Sequence, residues 1–402
     1  MKIIQTLFCG IILATLAIPG WFTMMKPFTG QQARTSPAEQ RRLVQFKQAS
    51  LAWPNIKSTV QTFGQAFDDQ LFARTKILQA VNGVLVEQGR HSTSDTILFG
   101  EDGYRFFMRQ QDVKVFAQIP CAVPGGLDEE KRQLTVDNYI AFARRMKAKG
   151  IETRLILIPT KSSIYPEKLP KYMHPYCVDS APPAVNTVEQ IQAAGFAARY
   201  DLEWFIKQNP SQAFYPKSFH WLTSGAHNYA QFLYNENLES MPKISPLDYE
   251  TKIQHTQIPA DISRHLGIKR KTEFMDATTY VWPALTSTKR IAFKEIHDRS
   301  KLLGTVDQSV FFYARTHGNV NQKLLMVGDS FSRQIFTYWA STASEAIFLS
   351  DSLVAYAPGI IDDTVAKFGA NIVVFVVEES RFAPIATENY PYPFATKLLP
   401  PE

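Results

Sequence analysis

Cysteine is scarce in this chain of 402 residues: only Cys9, Cys121 and Cys177 are present. That excludes a small disulfide-framed scaffold. There is no Cys-x-x-Cys pair, no His-Glu-x-x-His run and no carboxylate cluster at ligand spacing, so neither a metal nor a cofactor is expected. Dense Lys/Arg runs with interleaved aromatics are also missing. The formal net charge of +6 therefore reads as a solvated basic surface, or as affinity for an acidic polymer, with no nucleic-acid face. No low-complexity tract points to disorder, and no internal repeat is visible. Long apolar runs are rare as well. One stands out, from Leu7 to Met25, with Lys2 before it and Lys26 after it.

That run is just long enough to span a bilayer. No small-x-small cleavage site follows it, so residues 1–28 read as an uncleaved signal anchor, with a cleaved signal peptide as the alternative. Lys26, Arg34, Arg41 and Arg42 all follow the span, which the positive-inside rule would keep in the cytoplasm. Export is nevertheless the reading adopted. Beyond the anchor, Cys121 and Cys177 fit either one disulfide in an oxidising compartment or two buried thiols.

A polar linker from Thr29 to Arg41 follows, then a mostly helical stretch to Asn82 in which Phe63, Phe67, Leu71 and Phe72 recur at helical spacing. Gly100-Glu101-Asp102-Gly103 reads as a turn between two short strands, Thr96–Phe99 and Tyr104–Met108. Asn138 to Lys149 predicts a basic amphipathic helix closed by Gly150. Arg154–Ile158, Leu324–Val327 and Ile372–Val377 are uninterrupted apolar runs separated by helical patterns. Together they predict an α/β fold: a parallel sheet covered by helices on both faces.

In such sheets ligands gather beyond the carboxyl ends of the strands. The three ends here carry Pro159-Thr160-Lys161 with Tyr165, Gly328-Asp329-Ser330, and Glu378-Glu379-Ser380-Arg381. The second is the most informative. An apolar strand, a tight glycine turn, a serine and a helical segment from Arg333 to Phe336 would lift the Ser330 hydroxyl to the rim, against a helix N-terminus. A serine needs a base. Of eight histidines, His220 in Lys217-Ser218-Phe219-His220-Trp221 is the candidate, with His227 seven residues on. On residue chemistry alone the pairing stays open, because a Gly-Asp-Ser tripeptide arises by chance and a lone histidine is usually structural.

Five segments, in order, resemble the SGNH-hydrolase-like family of bacterial polysaccharide O-acetyltransferases, the AlgJ/AlgX type of alginate acetylation. Leu98 to Phe106 resembles the family's glycine–aromatic hairpin. Ile158-Pro159-Thr160-Lys161 with Tyr165-Pro166-Glu167 resembles its proline–lysine–tyrosine signature. Phe219-His220-Trp221 with Gly225-Ala226 resembles its Asp-x-His-Trp block, and Val327-Gly328-Asp329-Ser330-Phe331 its nucleophile block. Glu378 to Arg381 resembles its closing glutamate and arginine. Upstream, Phe67-Asp68-Asp69 with Arg74 fits a helix that precedes the domain.

The resemblance implies an SGNH-like acetyltransferase domain over residues 95–402, after a linker and helical segment at 29–94. It implies Ser330 as nucleophile and His220 as base. It further implies Lys161, Tyr165, Trp221, Arg333, Glu379 and Arg381 as substrate-binding residues. The acceptor would be an exopolysaccharide in the periplasm. The donor partner would be a membrane-bound O-acyltransferase, with the inner membrane reached through the N-terminal helix. A non-catalytic scaffold or polysaccharide-binding subunit, and a carbohydrate esterase, are the alternatives. Ser218 is a departure: the family has an aspartate two residues before the histidine, which orients the imidazole and stabilises its cation. Glu378 or Glu379 would then be candidates to substitute for it. The chain ends shortly after the last strand, so no C-terminal carbohydrate-binding module is expected.

Overall fold

A computed structural model gives the architecture. It describes chiefly residues 56–71, 74–87, 96–108, 119–122, 129–178, 181–208, 213–236, 322–340, 343–356 and 359–382. Short strands at 252–259, 274–281, 288–289 and 312–315 and a few isolated pieces complete it. The apolar run from Leu7 to Met25 lies outside the described residues, save Trp21 and Thr23. No helix among the described residues is long and apolar enough to cross a membrane.

The chain divides into two units. The first comprises Met1–Ile97 with Asp261–Glu273 and holds helices α1 (Ile56–Gln70) and α2 (Arg74–Glu87). There the Val44 N–H donates to Asp69 Oδ2 at 2.8 Å and Gln70 Nε2 to the Val44 carbonyl at 3.0 Å.

The second unit carries the sheet. Its strands, in chain order, are β1 (Ile97–Phe99), β2 (Arg105–Phe107), β3 (Glu152–Ile158), β4 (Ala197–Tyr200), β5 (Lys252–Pro259), β6 (Phe274–Val281), β7 (Thr288–Lys289), β8 (Phe312–Arg315), β9 (Lys323–Gly328), β10 (Glu345–Ser350) and β11 (Ile372–Glu378). The main sheet has the order β4-β3-β11-β9-β10-β8-β7. Its first five strands are parallel; β8 and β7 add antiparallel pairings at one edge. β1 with β2, and β5 with β6, form separate two-stranded ladders.

The apolar runs read from sequence become the three central strands, and their alternation assigns two cores. Ile156, Ile158, Leu324, Met326, Val374 and Val376 join one core. Helices α7 (Leu202–Lys207), α8 (Thr223–Asn235) and α9 (Ser332–Ala340) contribute to it through Phe205, Tyr229 and Trp339. Leu155, Leu157, Leu325, Val327, Phe375 and Val377 join the other. It is covered by α3 (Glu129–Ala148), α6 (Pro183–Ala193), α10 (Asp351–Tyr356) and α11 (Ile360–Phe368). Burial on both faces is why these strands are continuously apolar rather than alternating.

α3 begins at Glu129, earlier than its periodicity suggested, with two glutamates in its first turn and Arg145 and Lys147 in its last, the order that complements the helix dipole. The turn after it uses Gly150 at φ 74°, a left-handed conformation that glycine adopts without strain. Cys121 and Cys177, the latter in the one-turn helix α5 (His174–Cys177), form a disulfide with Cα atoms 5.0 Å apart.

Candidate active site

The site lies at the carboxyl ends of β3, β9 and β11. In register, Gly328 sits opposite Val376, and Glu378 opposite Ile158. The chain leaving β9 must turn sharply here. A Cβ on Gly328 would lie 2.1 Å from Ser332 Oγ and 2.3 Å from the Val376 carbonyl, so only glycine fits. Asp329 braces the turn from within. Its Oδ1 accepts the N–H groups of Phe331 (2.9 Å) and Ser332 (3.3 Å), and its Oδ2 accepts that of Glu378 (2.8 Å). Ser332 Oγ donates to the Asp329 carbonyl at 2.7 Å. Burial holds the Asp329 carboxyl above the usual carboxylate range; Arg381 pulls it down and Asp351 pushes it further up.

Ser330 is half-buried at the tip of this turn, two residues before α9. His220 Nε2 lies 2.7 Å from Ser330 Oγ, across 110 residues of sequence. The imidazole is half-buried and packs on Phe331 with ring centres 4.9 Å apart, with Phe219 edge-on to it at 4.9 Å. Phe331, fully buried, also touches Trp221 at 5.8 Å, so serine turn and histidine loop share one aromatic core. For His220 to accept the Ser330 proton, its own proton must sit on Nδ1.

The histidine loop is closed at its base. The Leu222 N–H donates to the Ala213 carbonyl at 2.9 Å, and Phe214 bridges Trp221 in antiparallel fashion. Within it the Ser218 N–H donates to the Tyr215 carbonyl at 3.0 Å. Ser218 is buried, at 2% exposure.

Of the side chains expected to bind substrate, Arg333 alone is exposed, in the first turn of α9. Lys161, in the one-turn helix α4 (Lys161–Ile164), is buried, with its ammonium on four backbone carbonyls. Tyr165 is buried against Tyr104 at 5.5 Å, and burial raises its phenol above the ordinary value. Trp221 is buried, stacked near Phe205 at 6.1 Å. Neither the Tyr165 hydroxyl nor the Trp221 indole N–H has a hydrogen-bond partner among the described residues. Arg381 donates to Asp351 Oδ2 at 2.8 Å and is largely enclosed.

Glu379 begins the terminal turn α12 (Glu379–Phe382) and is buried. Its Oε1 accepts from the Thr160 N–H (2.7 Å), the Thr160 hydroxyl (2.9 Å) and Ser163 Oγ (2.5 Å); its Oε2 accepts from Tyr200 (2.9 Å). Burial raises its carboxyl, and the hydrogen bonds from Ser163, Thr160 and Tyr200 oppose that shift. Glu378, which accepts from Ser380 Oγ at 2.7 Å, is pushed up to about 8, first by burial and then by the Asp329 charge. Both carboxyls therefore serve the strand ends, and Glu379 has both oxygens engaged there. Sequence reading overlooked Asp329 as the brace of the turn that carries Ser330, although it lies inside the motif. A residue flanked by a strand-end glycine and a serine, with two N–H groups following, is the signal that would have found it.

Among the described residues no group of three metal-ligating side chains converges. The arrangement that remains is a serine and histidine in hydrogen-bond contact on a turn at a helix N-terminus. The Phe331 and Ser332 N–H groups that follow the serine are held by Asp329.

Several solved structures are similar to this chain. The Bacillus cereus PatB1 structure with a sulfonyl adduct is similar in fold, at TM-score 0.50 and 15% identity over 72% of this chain and 96% of that one. The O-acetyltransferase domain of Pseudomonas putida AlgJ matches at TM-score 0.46 and 14% identity, over 73% of this chain and 94% of that one. Pseudomonas aeruginosa AlgX matches at TM-score 0.42 and 14% identity, over 72% and 63%. No curated protein sequence matches the chain. The family described as SGNH hydrolase-like domain, acetyltransferase AlgX, matches residues 126–340, which include His220, Ser330 and every strand of the main sheet except β10 and β11. By that match the chain belongs to the SGNH hydrolase-like acetyltransferase family.

Proposed function

We propose that this chain O-acetylates the hydroxyls of an alginate-like exopolysaccharide through an acetyl ester on Ser330. The observation that carries the reading is the 2.7 Å contact between Ser330 Oγ and His220 Nε2, in a chain of an acetyltransferase family. Ser330 Oγ attacks the donor's acetyl carbonyl carbon while His220 Nε2 takes the hydroxyl proton. The carbonyl oxygen becomes an oxyanion facing the Ser330 N–H and the N-terminus of α9. Collapse breaks the bond to the donor's leaving oxygen, which receives the proton from His220. In the second half a sugar hydroxyl gives its proton to His220 and attacks the acetyl carbon. Ser330 departs and recovers that proton, so no net charge or proton is left behind.

The reading extends to the periplasm, with the run from Leu7 to Met25 as inner-membrane tether and a membrane-bound O-acyltransferase as the source of acetyl. The Cys121–Cys177 disulfide supports an oxidising compartment.

The test is a small activated acetyl ester, followed by peptide mass mapping. Acetyl on Ser330, absent in Ser330→Ala, is the expected result; label on Ser332, or on no serine, overturns it. Adding an oligosaccharide acceptor separates transfer from esterase action, because a transferase moves the acetyl to sugar rather than to water.

Ser218 favours a second reading, a polysaccharide-binding subunit without turnover, since no charge stands where the family's aspartate does. Retained polysaccharide binding by a protein that never labels at Ser330 distinguishes it.

A further inference from the structure

Lys161 is a buried cation surrounded by main-chain oxygen. Its Nζ donates to the carbonyls of Arg105 (3.0 Å), Tyr215 (3.0 Å), Pro216 (2.5 Å) and Ser218 (3.1 Å). The rings of Tyr104 and Phe106 cover it at 5.1 and 5.5 Å. An ammonium has three protons, so four carbonyls already oversubscribe it. Little is left for the substrate that the family resemblance implied for it.

Three of the four carbonyls belong to the tip of the histidine loop, five, four and two residues before His220. The fourth belongs to β2, whose Arg105 N–H also donates to the Pro216 carbonyl at 2.9 Å. Left to itself such a tip would have its carbonyls pointing apart into water. Here they converge on one centre, which fixes the backbone path from Tyr215 to Ser218. The base of the same loop is fixed by the Phe214–Trp221 bridge. His220 thus hangs between two clamps, one cationic and one backbone. Lys161 is held in turn: Thr160, its N-cap, accepts from the Ser163 N–H at 3.2 Å and donates to Glu379.

We propose that Lys161 is a positioning residue that holds the Tyr215–Ser218 tip by its carbonyls and so sets the His220 imidazole on Ser330 Oγ. The inference rests on reading Ser330 and His220 as the reacting pair. It has particular weight in this chain because residue 218 is a serine. Where an aspartate would help to orient the imidazole through its side chain, this loop is ordered through its main chain.

The experiment uses the full chain, with a small neutral ester such as p-nitrophenyl acetate, which carries no anionic group for a lysine to pair with. Lys161→Met is expected to lower the rate of Ser330 acylation roughly 100-fold or more while changing the apparent KM less than about threefold, the signature of a misplaced base. In protein labelled with ¹⁵N in its histidine rings, the His220 Nε2 resonance should move in Lys161→Met and the other histidines should not. Parent-like acylation with an unmoved His220 resonance overturns the proposal, as does a loss confined to KM. If the parent itself does not label at Ser330, the acyl-enzyme reading fails, and the His220 resonance alone decides the role of Lys161. If Lys161→Met does not fold, Lys161→Arg is measured the same way. A planar guanidinium spreads its donors and cannot converge on four carbonyls from one point. Partial loss of rate and a shifted His220 resonance support the proposal, and parent-like values refute it.

Discussion

Asp329 Oδ2 accepts the Glu378 N–H at 2.8 Å, so the carboxylate beside Ser330 is shared between the ends of two neighbouring parallel strands. Its other oxygen holds the first two N–H groups after Ser330. Asp329→Ala leaves three buried donors without an acceptor, at about 1–3 kcal/mol each. It is expected to lower the urea midpoint sharply and to slow acylation of Ser330 in the fraction that folds. Asp329→Asn keeps one oxygen for Phe331 and Ser332 but turns an amide N–H₂ toward the Glu378 N–H, so an intermediate loss is expected. Urea titrations and burst kinetics on both variants decide it; an alanine variant as stable and as fast as the parent refutes the brace.

The buried carboxyls make stability depend on pH in an uncommon direction. Glu378 has an ordinary value of 4.5 and is pushed up to about 8 in the folded protein, first by burial. Between those values the folded protein keeps a proton that the unfolded chain has released. Folding is therefore favoured most below the ordinary value, and that stability is lost as pH rises toward 8. Burial shifts Asp329 and Glu379 in the same direction. At about 1.4 kcal/mol per unit, the loss across the window is on the order of a few kcal/mol. The thermal midpoint is expected to fall from pH 5 to pH 8.5, and Glu378→Gln to flatten the fall. A midpoint that rises over this range in the parent would contradict the assignment.

Much of this arrangement was legible beforehand because it depends on short-range pattern. The runs Arg154–Ile158, Leu324–Val327 and Ile372–Val377 are strands because continuous burial needs continuous apolar residues. The turn at Glu101–Gly103 falls where two glycines and two carboxylates interrupt β-formers. What was not legible is long-range. β10, Glu345–Ser350, is as buried as its neighbours but starts on a glutamate and ends on a serine, and did not stand out as a run. Lys161, just past a strand end, was expected to bind substrate because of the family resemblance. Its actual partners lie 54 to 57 residues away, and carbonyls carry no sequence signature. Glu379 likewise meets Thr160 across 219 residues.

The disulfide joins residues 56 apart, a loop whose closure should restrict the unfolded chain by roughly 4 kcal/mol. In exported protein, denatured without reductant, Cys121 and Cys177 are expected to resist thiol labelling and to label fully after reduction. The double variant Cys121→Ala/Cys177→Ala is expected to melt several degrees lower. Full labelling of both before reduction would refute the bond and weaken the argument for export.

Ser218→Asp tests what the departure from the family means. The residue is buried, its N–H is tied to Tyr215, and its carbonyl accepts from Lys161 at 3.1 Å. A carboxylate introduced here would be costly if isolated, but a buried ammonium already lies beside its main chain. It would also supply the negative charge that stabilises the imidazolium formed when His220 takes the Ser330 proton. Loss of the corresponding aspartate costs a serine protease about 10⁴ in rate, so a gain of one to several orders of magnitude in acylation is expected. A large gain from a near-zero rate would mean that the serine weakens an otherwise intact site. No gain, with fast acylation in the parent, would mean that the main-chain clamp on the histidine loop already supplies the orientation an aspartate would give. No acylation in either form, with the 2.7 Å serine–histidine contact retained, would remove turnover from the protein's role and leave polysaccharide binding in its place.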